Sequence, residues 1–552
     1  MGRTTQTWAR LKAVPRLCWE EAIWLETKRE TVPLRTGLAP QAIFVGGLFA
    51  VVLVLLTWGS SPQKAAANTL EVGGGGYATI SAAVQAAAPA DTILIHAGTY
   101  PEEVAIDKGI ILDVFGDGDV WVDGQCLRKH GFWIWGDGAT LRSIRVKNTV
   151  EAAVFLYADR PDQQPPSNVT VEGMTIQDFD CTWSAQDPAT WGQYRAGIAS
   201  WYGGPGMRII NNLIQHRTVG SPYGAADGIW FKSNDSKPSG GGHHIAGNTI
   251  IGGWDGIGGE EEGSHHGTFD RDTIVENNTI QNTWDDCIQS EGGDQDVIIR
   301  GNDLSGCGTG IAFAAPVTGP LYLENNYIHD LVTGLYDNHF CYKVGQGGGG
   351  TTYMTGNTCE VTAAPGQEAD GIHQTSENLS PIVSKRNIYR VSRYIFTMGY
   401  PSIPSGTDFD EDCMWTTNEN LFKWNNVYYT NLARFQQATG QERNGRLAQD
   451  CSFLGTPTPP AASSPAAPTT PGAPQSTPTA AGQTPSAQPT PAPAGQTPSV
   501  RPTSTPEETA GSDDDVLTSP VALGLEALAG LTLLGLGFIV GVRWSRRHRP
   551  AP

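Results

Sequence analysis

One short string recurs through the middle of the chain: an apolar residue, two further residues, asparagine, one more, then an apolar residue. It reads IINNLI, IAGNTI, VENNTI, IRGNDL, LENNYI and MTGNTC, with the asparagines at Asn212, Asn248, Asn278, Asn302, Asn326 and Asn357 and weaker copies at Asn387 and Asn426. Successive spacings of the six are 36, 30, 24, 24 and 31 residues. A floor of 24 with variable additions is the pattern of a coil of fixed circumference with loops inserted at its corners. Asparagine at a constant corner tolerates the left-handed conformation, and stacked side-chain amides can hydrogen-bond from coil to coil. The repeat therefore predicts a solenoid of stacked coils, with strands about 4.8 Å apart.

The stretch 77-YATISAAVQAAAPADTILIHAGTYPEEVAI-106 predicts a small-residue helix over Ile80–Ala88, a turn, then the alternating strand TILIH. A helix there would cover the open end of a strand stack, which must be protected from edge pairing. This stretch resembles the first coil of right-handed parallel β-helix proteins of the pectin-lyase-like superfamily, and the asparagine copies resemble their repeats. The resemblance covers roughly residues 70 to 430. It implies an all-β fold, a right-handed parallel β-helix (solenoid) with an N-terminal capping helix. That architecture serves lyases, hydrolases, esterases, epimerases and adhesins, so the fold alone does not name an activity.

Outside the repeat the chain changes character. Residues 1–67 hold the apolar run AIFVGGLFAVVLVLLTW behind a basic leader, which reads as a signal peptide or an uncleaved signal anchor. Residues 68–455 form the body. Residues 456–515 are rich in Pro, Thr and Ala and cannot bury enough apolar surface to fold, so they read as a disordered stalk. Residues 516–552 hold VALGLEALAGLTLLGLGFIVGV, long enough to span a bilayer, followed by RWSRRHR. The expectation is a monomer at the cell membrane, held by a single C-terminal anchor, with a second span if the leader is uncleaved, and with its body outside the cell.

Eight of the nine cysteines lie in the body, which permits four disulfides without revealing their pairing. The body carries 46 Asp and Glu against 23 Lys and Arg. Nucleic acid and anionic membrane surfaces are poor partners for such a surface, and a polyanionic glycan would need Ca²⁺ or a local basic groove.

A second column accompanies the asparagines: Asp227-Gly-Ile, Asp255-Gly-Ile, Asp286-Cys-Ile, Thr309-Gly-Ile, Thr333-Gly-Leu and Asp370-Gly-Ile. If the Ile or Leu points inward, alternation sends Trp230 and Lys232, Gly258 and Glu260, Gln289 and Glu291, Tyr336 and Asn338, and His373 and Thr375 outward. Lys232, Glu260 and Glu291 would then stand in one line about 5 Å apart. Two carboxylates that close cannot both ionise cheaply, which makes an acid/base pair available near neutral pH. Asp before Gly at a fixed turn also bonds nearby backbone N–H groups, an architectural alternative for Asp227, Asp255 and Asp370.

The string DDCI resembles the paired-Asp segment of polygalacturonase-type glycoside hydrolases, which would make Asp285 and Asp286 an acid/base pair. Thr309 stands where that resemblance asks for histidine, and no Arg-Ile-Lys string is present. The candidate catalytic residues are Asp255, Glu260, Asp285, Asp286 and Glu291; those for substrate binding are Trp230, Lys232, Gln289, Tyr336 and His373. Trp254 and Trp284 are further aromatics for stacking or packing, and His265-His266 lacks spaced partners for a metal site. The expectation is a glycoside hydrolase-like protein acting on a polysaccharide or cell-surface glycan, with no metal or other cofactor required and Ca²⁺ left open. A non-catalytic carbohydrate-binding or adhesion module is the alternative. A lyase or epimerase is less favoured, because the face offers only Lys232 as a cation.

Overall fold

The computed structural model describes residues 66–454, except 159–163, 183–194, 218–225, 260–262, 293–294, 315, 333–337, 346–347, 363–367 and 378. The expected leader, stalk and anchors lie outside the described residues. Among the described residues no helix is long and apolar enough to cross a membrane.

Consecutive strands fall into three different sheets, so the chain turns through a triangular coil and returns to the first sheet beside the strand it left. Each sheet contains thirteen strands among the described residues, and pairing is parallel throughout except for one terminal hairpin, Phe422–Trp424 with Val427–Tyr429. The chain is a right-handed parallel β-helix. Its strands are mostly three to six residues long, with one or two inward apolar side chains each, such as Ile229, Ile257, Ile288, Ile311, Tyr342 and Ile372, all fully buried. These side chains stack coil on coil into one continuous core.

The asparagine column forms a ladder. Asn212 Nδ2 donates to Asn248 Oδ1 at 2.9 Å, and the same bond recurs through Asn278, Asn302, Asn326, Asn357 and Asn387 at 2.9 to 3.0 Å. Each backbone N–H also donates to the next Oδ1, and each Nδ2 reaches a strand carbonyl, as Asn302 Nδ2 does to Val275 O at 3.1 Å. Buried amides are thereby satisfied on both sides. The left-handed residue is not the ladder asparagine, as the sequence suggests, but the one before it: Asn211, Gly247, Asn277, Gly301, Asn325, Gly356 and Arg386 all have positive φ. Asn426 does not continue the ladder. The ladder continues instead on Asp412, whose Oδ1 accepts from the Asn387 N–H at 2.7 Å and whose own N–H donates to Glu442 Oε2 at 3.4 Å.

Both ends of the stack are covered. Helix α1, Ile80–Ala86, is capped by Thr79 and buries Ile80, Ala83 and Val84. The Glu102 carboxylate accepts from the Ile80 and Ser81 N–H groups at 2.8 and 2.9 Å, fixing the helix to the first coil. Helix α2, Leu432–Thr439, absent from the sequence expectation, closes the other end. Its buried Phe435 stacks on Phe422 with centroids 4.1 Å apart. Four disulfides join Cys126–Cys181, Cys287–Cys307, Cys341–Cys359 and Cys413–Cys451.

Candidate functional site

Trp230, Lys232, Asp286, Gln289, Glu291 and His373 lie on strands of the sheet that runs from Val104–Ile106 to Val427–Tyr429, and Asp255 and Asp285 stand just before two of those strands. Register aligns Ile229 with Ile257, Ile257 with Ile288, and Asp286 with Thr309, as the DG-Ile column requires. One coil further the expectation fails. The partner of Ile311 is Tyr342, not Leu335, and the partner of Ala312 is Lys343. The Thr333-Gly-Leu string, with Tyr336, falls outside the described residues. The place assigned to Tyr336 on the sheet is therefore held by Lys343.

Lys343 completes a charged cluster. Asp255, Asp285 and Asp286 each bring a carboxylate oxygen within 4.8 Å of the others. Lys343 Nζ donates to Asp286 Oδ2 at 2.7 Å and lies 3.9 Å from Asp285 Oδ1. Three carboxylates this close could hold a cation, and the ammonium group supplies that positive charge from the chain itself. The second oxygen of Asp286, Oδ1, is buried and finds no well-formed hydrogen bond among the described residues.

The backbone explains how the carboxylates converge. The Asp255 N–H donates to Asp227 Oδ1 at 3.1 Å, and the Asp286 N–H donates to Asp255 Oδ1 at 2.8 Å. Gly308 and Thr309 both donate to the Asp285 carbonyl, at 2.8 and 2.9 Å. Asp227 and Asp255 thus have the architectural bonds that Asp-Gly corners predict, and Asp255 belongs to the cluster as well. Asp255 and Asp286 are fully buried, whereas Asp285 is half-buried and reaches the surface.

Electrostatics separate the roles. Burial raises the Asp255 carboxyl well above the usual range, and the neighbouring charges of Asp286, Asp227 and Asp285 add to it. Burial likewise raises Asp286 to about 7, although Lys343 pulls in the opposite direction. Burial of the Lys343 ammonium acts to lower its pKa, but Asp286 and Asp285 outweigh it and the net direction is upward. The cluster therefore keeps a proton near neutral pH, best placed on Asp255, which has no cation within ion-pair distance among the described residues.

The remaining candidates are spread along the sheet. Strand Ile257–Gly258 ends after two residues, and Glu260 lies outside the described residues. The place beside Glu291 is taken by Thr268, whose Oγ1 donates to the Gly259 and Glu291 carbonyls at 2.7 and 3.1 Å. Gln289 is buried and donates from Nε2 to Glu291 Oε1 at 3.2 Å. Lys232 and Trp230 are half-buried two coils before Gln289. His373 pairs in register with Lys343, and its Nδ1 lies 2.8 Å from Asp370 Oδ2. His265 and His266 pair with Asp235 and Asp270 and take no part in the cluster.

Sequence reasoning missed Lys343; a count from the later coils points to it, although Ile288 precedes Asn302 by 14 and the strand register is what places it. Ile311 precedes Asn326 by 15 residues, and Ile372 precedes Asn387 by 15; counting back 15 from Asn357 reaches Tyr342, with Lys343 next. The view that Lys232 is the sole cation on this face is also corrected, since Lys343, Arg393 and Lys423 flank the same strands.

No family model matches the chain, and no curated protein matches it. Among solved structures it is similar to a mannuronic acid specific polysaccharide family 6 lyase from human gut microbiota, at 12% identity over 64% of this chain and 82% of that one, TM-score 0.39. It is also similar to an endo-xylogalacturonan hydrolase from Aspergillus tubingensis, at 10% identity over 63% and 95%, TM-score 0.36, and to an alginate lyase from a Paenibacillus species, at 12% identity over 61% and 96%, TM-score 0.35. The fold is a right-handed parallel β-helix. It is the parallel three-sheet topology and the asparagine ladder that carry this statement, and at these identities the likenesses say nothing about activity.

Proposed function

We propose that the chain binds a polysaccharide along this sheet and hydrolyses a glycosidic bond at the Asp255–Asp285–Asp286–Lys343 cluster. The observation that carries the reading is the convergence of three carboxylates within 4.8 Å beside an ammonium group. Asp285 is the carboxyl exposed enough to meet a glycosidic oxygen and acts as the acid that protonates it. Asp286, held by Lys343 at one oxygen, acts as the base, taking a proton from a water that substrate binding admits beside its buried Oδ1. Asp255 holds the shared proton and passes it to Asp285 for donation to the leaving oxygen, the proton that Asp286 takes from water restores it, and Asp255 also fixes the Asp286 backbone. Lys343 takes the place of a metal, so the reaction needs no Ca²⁺.

Asp227, Asp255 and Asp286 are also tied into a backbone ladder, which favours one second reading: a binding platform whose acids are architectural. Reducing-end release by the full-length protein from a panel of neutral and uronic glycans separates the two, with absorbance of unsaturated products followed in parallel. Hydrolysis predicts reducing ends without the absorbance rise, lost at least 100-fold in Asp285→Asn and Asp286→Asn while the fold is kept. Cleavage undiminished in both variants would sink the catalytic assignment, and an absorbance rise would replace hydrolysis with elimination.

A further inference from the structure

The first outward position of each coil defines one row along the sheet, and its chemistry changes in a fixed order. Register places Trp133, Phe155, Ala199, Trp230 and Gly258 in succession. Gly258 has Gln289 as its neighbour, since a Cβ there would lie 2.7 Å from the Gln289 Cβ. Gln289 is followed by Ala312, Lys343, His373, Thr397 and Lys423. The row therefore begins aromatic, passes the carboxylates, and ends cationic.

The aromatic end forms an apolar cluster of its own, separate from the interior core, in which Trp133, Tyr157, Trp201 and Trp230 are half-buried. Flat, half-exposed aromatic rings suit the apolar faces of neutral pyranose rings. Beside the carboxylates, Gly258 leaves the row without a side chain. The half-exposed Asp285 and Glu291 make this stretch unfavourable for an anionic residue.

The cationic end contains a cavity of 370 Å³ lined by His373, Gln374, Arg393, Thr397, Tyr400 and Lys423 among others, with no carboxylate in its lining. Behind it the fully buried Asp370 accepts from Arg393 Nε and Nη2 at 2.8 and 2.9 Å and from the Thr397 hydroxyl at 2.8 Å. Asp370 also binds His373 Nδ1, and Phe340 stacks on that ring at 4.0 Å, so the imidazole is fixed with Nε2 as the nitrogen left for a ligand. Arg393 is neutralised by Asp370, whereas Lys423 has no carboxylate within ion-pair distance among the described residues. In a body with twice as many acids as bases, this is a site built for a negative charge.

We propose that the cavity at His373, Arg393 and Lys423 is the subsite for a single carboxylate-bearing sugar, carried by an otherwise neutral polysaccharide whose other residues lie across the aromatic end. The proposal rests on the reading of this sheet as a polysaccharide platform and adds the class of polymer and its direction. The cavity lies three to five coils beyond Asp286, about 14 to 24 Å at one strand spacing per coil, a span of roughly three to five pyranose units. A uniform polyuronate is disfavoured, because it would set further charges against Asp285 and Glu291.

The test is calorimetric titration of the full-length protein with three probes: a neutral xylo-oligosaccharide, the same oligosaccharide bearing one uronic acid side residue, and an oligogalacturonate of equal length. The singly charged probe should bind at least tenfold more tightly than either of the others. Lys423→Gln should bring the charged and neutral xylo-oligosaccharides to within threefold of each other, Lys423→Arg should keep the preference, and Trp230→Ala should weaken both xylo-oligosaccharides. Equal affinity for all three probes, none binding included, overturns the proposal. So does tightest binding of the oligogalacturonate, or a preference that survives Lys423→Gln. The preference is independent of cleavage: a singly charged probe bound through Lys423 but never hydrolysed would remove the hydrolase reading and leave this one standing.

Discussion

Lys343 and Asp286, 57 residues apart in sequence, meet at 2.7 Å from two strands of one sheet with the strand Thr309–Ala314 between them, and the contact supplies the buried carboxylate with its only cation among the described residues. Two coils separate them, a Cα distance of about 10 Å that the lysine stem spans.

Removing that cation leaves Asp286 charged and buried. Lys343→Met should lower stability by about 3 kcal/mol at pH 8, the usual cost of breaking a buried pair. Burial already raises Asp286 to about 7, and without Lys343 it protonates more readily still, so the loss should shrink at pH 5. Urea unfolding at the two pH values measures this. An equal loss at both would show that Lys343 acts through packing alone.

Asp255 has a raised pKa, so between the ordinary aspartate value near 3.9 and its native value the folded chain holds a proton that the unfolded chain has released. Stability from this group is therefore present below the lower value and falls as pH rises through the window. Asp255→Asn lacks that fall and keeps an oxygen for the Asp286 N–H. The stability of the variant relative to the parent should rise as pH increases above about 4, read from denaturation midpoints. A flat difference would show that Asp255 is ionised in the folded state.

Asn302 takes part in five hydrogen bonds of the buried ladder, four of them through its side-chain amide donating or accepting across neighbouring coils. Asn302→Ala leaves the Asn278 donors and the Asn326 acceptor without that partner and should cost about 3 kcal/mol or more. Asn302→Asp restores the acceptor but not the donors and should recover only part of it. Thermal unfolding of both variants orders them, and a ladder that tolerates alanine without loss would mean that water replaces the amide.

The Cys341–Cys359 disulfide joins the strand that holds Lys343 to the strand Thr358–Val361 of another sheet, closing a short loop that contains Thr352–Thr355. Replacing both cysteines by serine should lower stability by about 3 kcal/mol, through the loop entropy restored to the unfolded chain. Because Cys341 is two residues from Lys343, cleavage should fall as well. Full activity in the double variant would show that the strand is held by its ladder bonds alone.

The coil was legible because its rule is local: each turn needs a small or amide residue at one corner and an inward aliphatic residue on each short strand, and both recur at a readable interval. The capping helix was legible too, since Thr79 and the alanine-rich run that follows are enough to start it. Helix α2 was not, because Leu432–Thr439 carries a weak apolar face and folds there through Phe435 packing on Phe422. Of the site, Asp285 and Asp286 stood out as adjacent acids, and Asp255 followed from the shared register. The string at 333–335 imitates the column so well that it displaced Lys343 from it, and the strand register corrects the phase.

What the sequence determined by itself is the period: amides and aliphatics recurring at coil length leave a stacked parallel helix as the arrangement that satisfies both. What the tertiary structure decided is phase and company. Insertions of variable length shift each coil's residues along the chain, so which side chains stand side by side depends on where every loop leaves and rejoins the sheet. Lys343 reaches Asp286, and Lys423 falls in line with His373, because hydrogen-bond register across neighbouring strands fixes those rows after the loops are taken up. A pairing set by that register is a property of the assembled stack, and no single coil contains it.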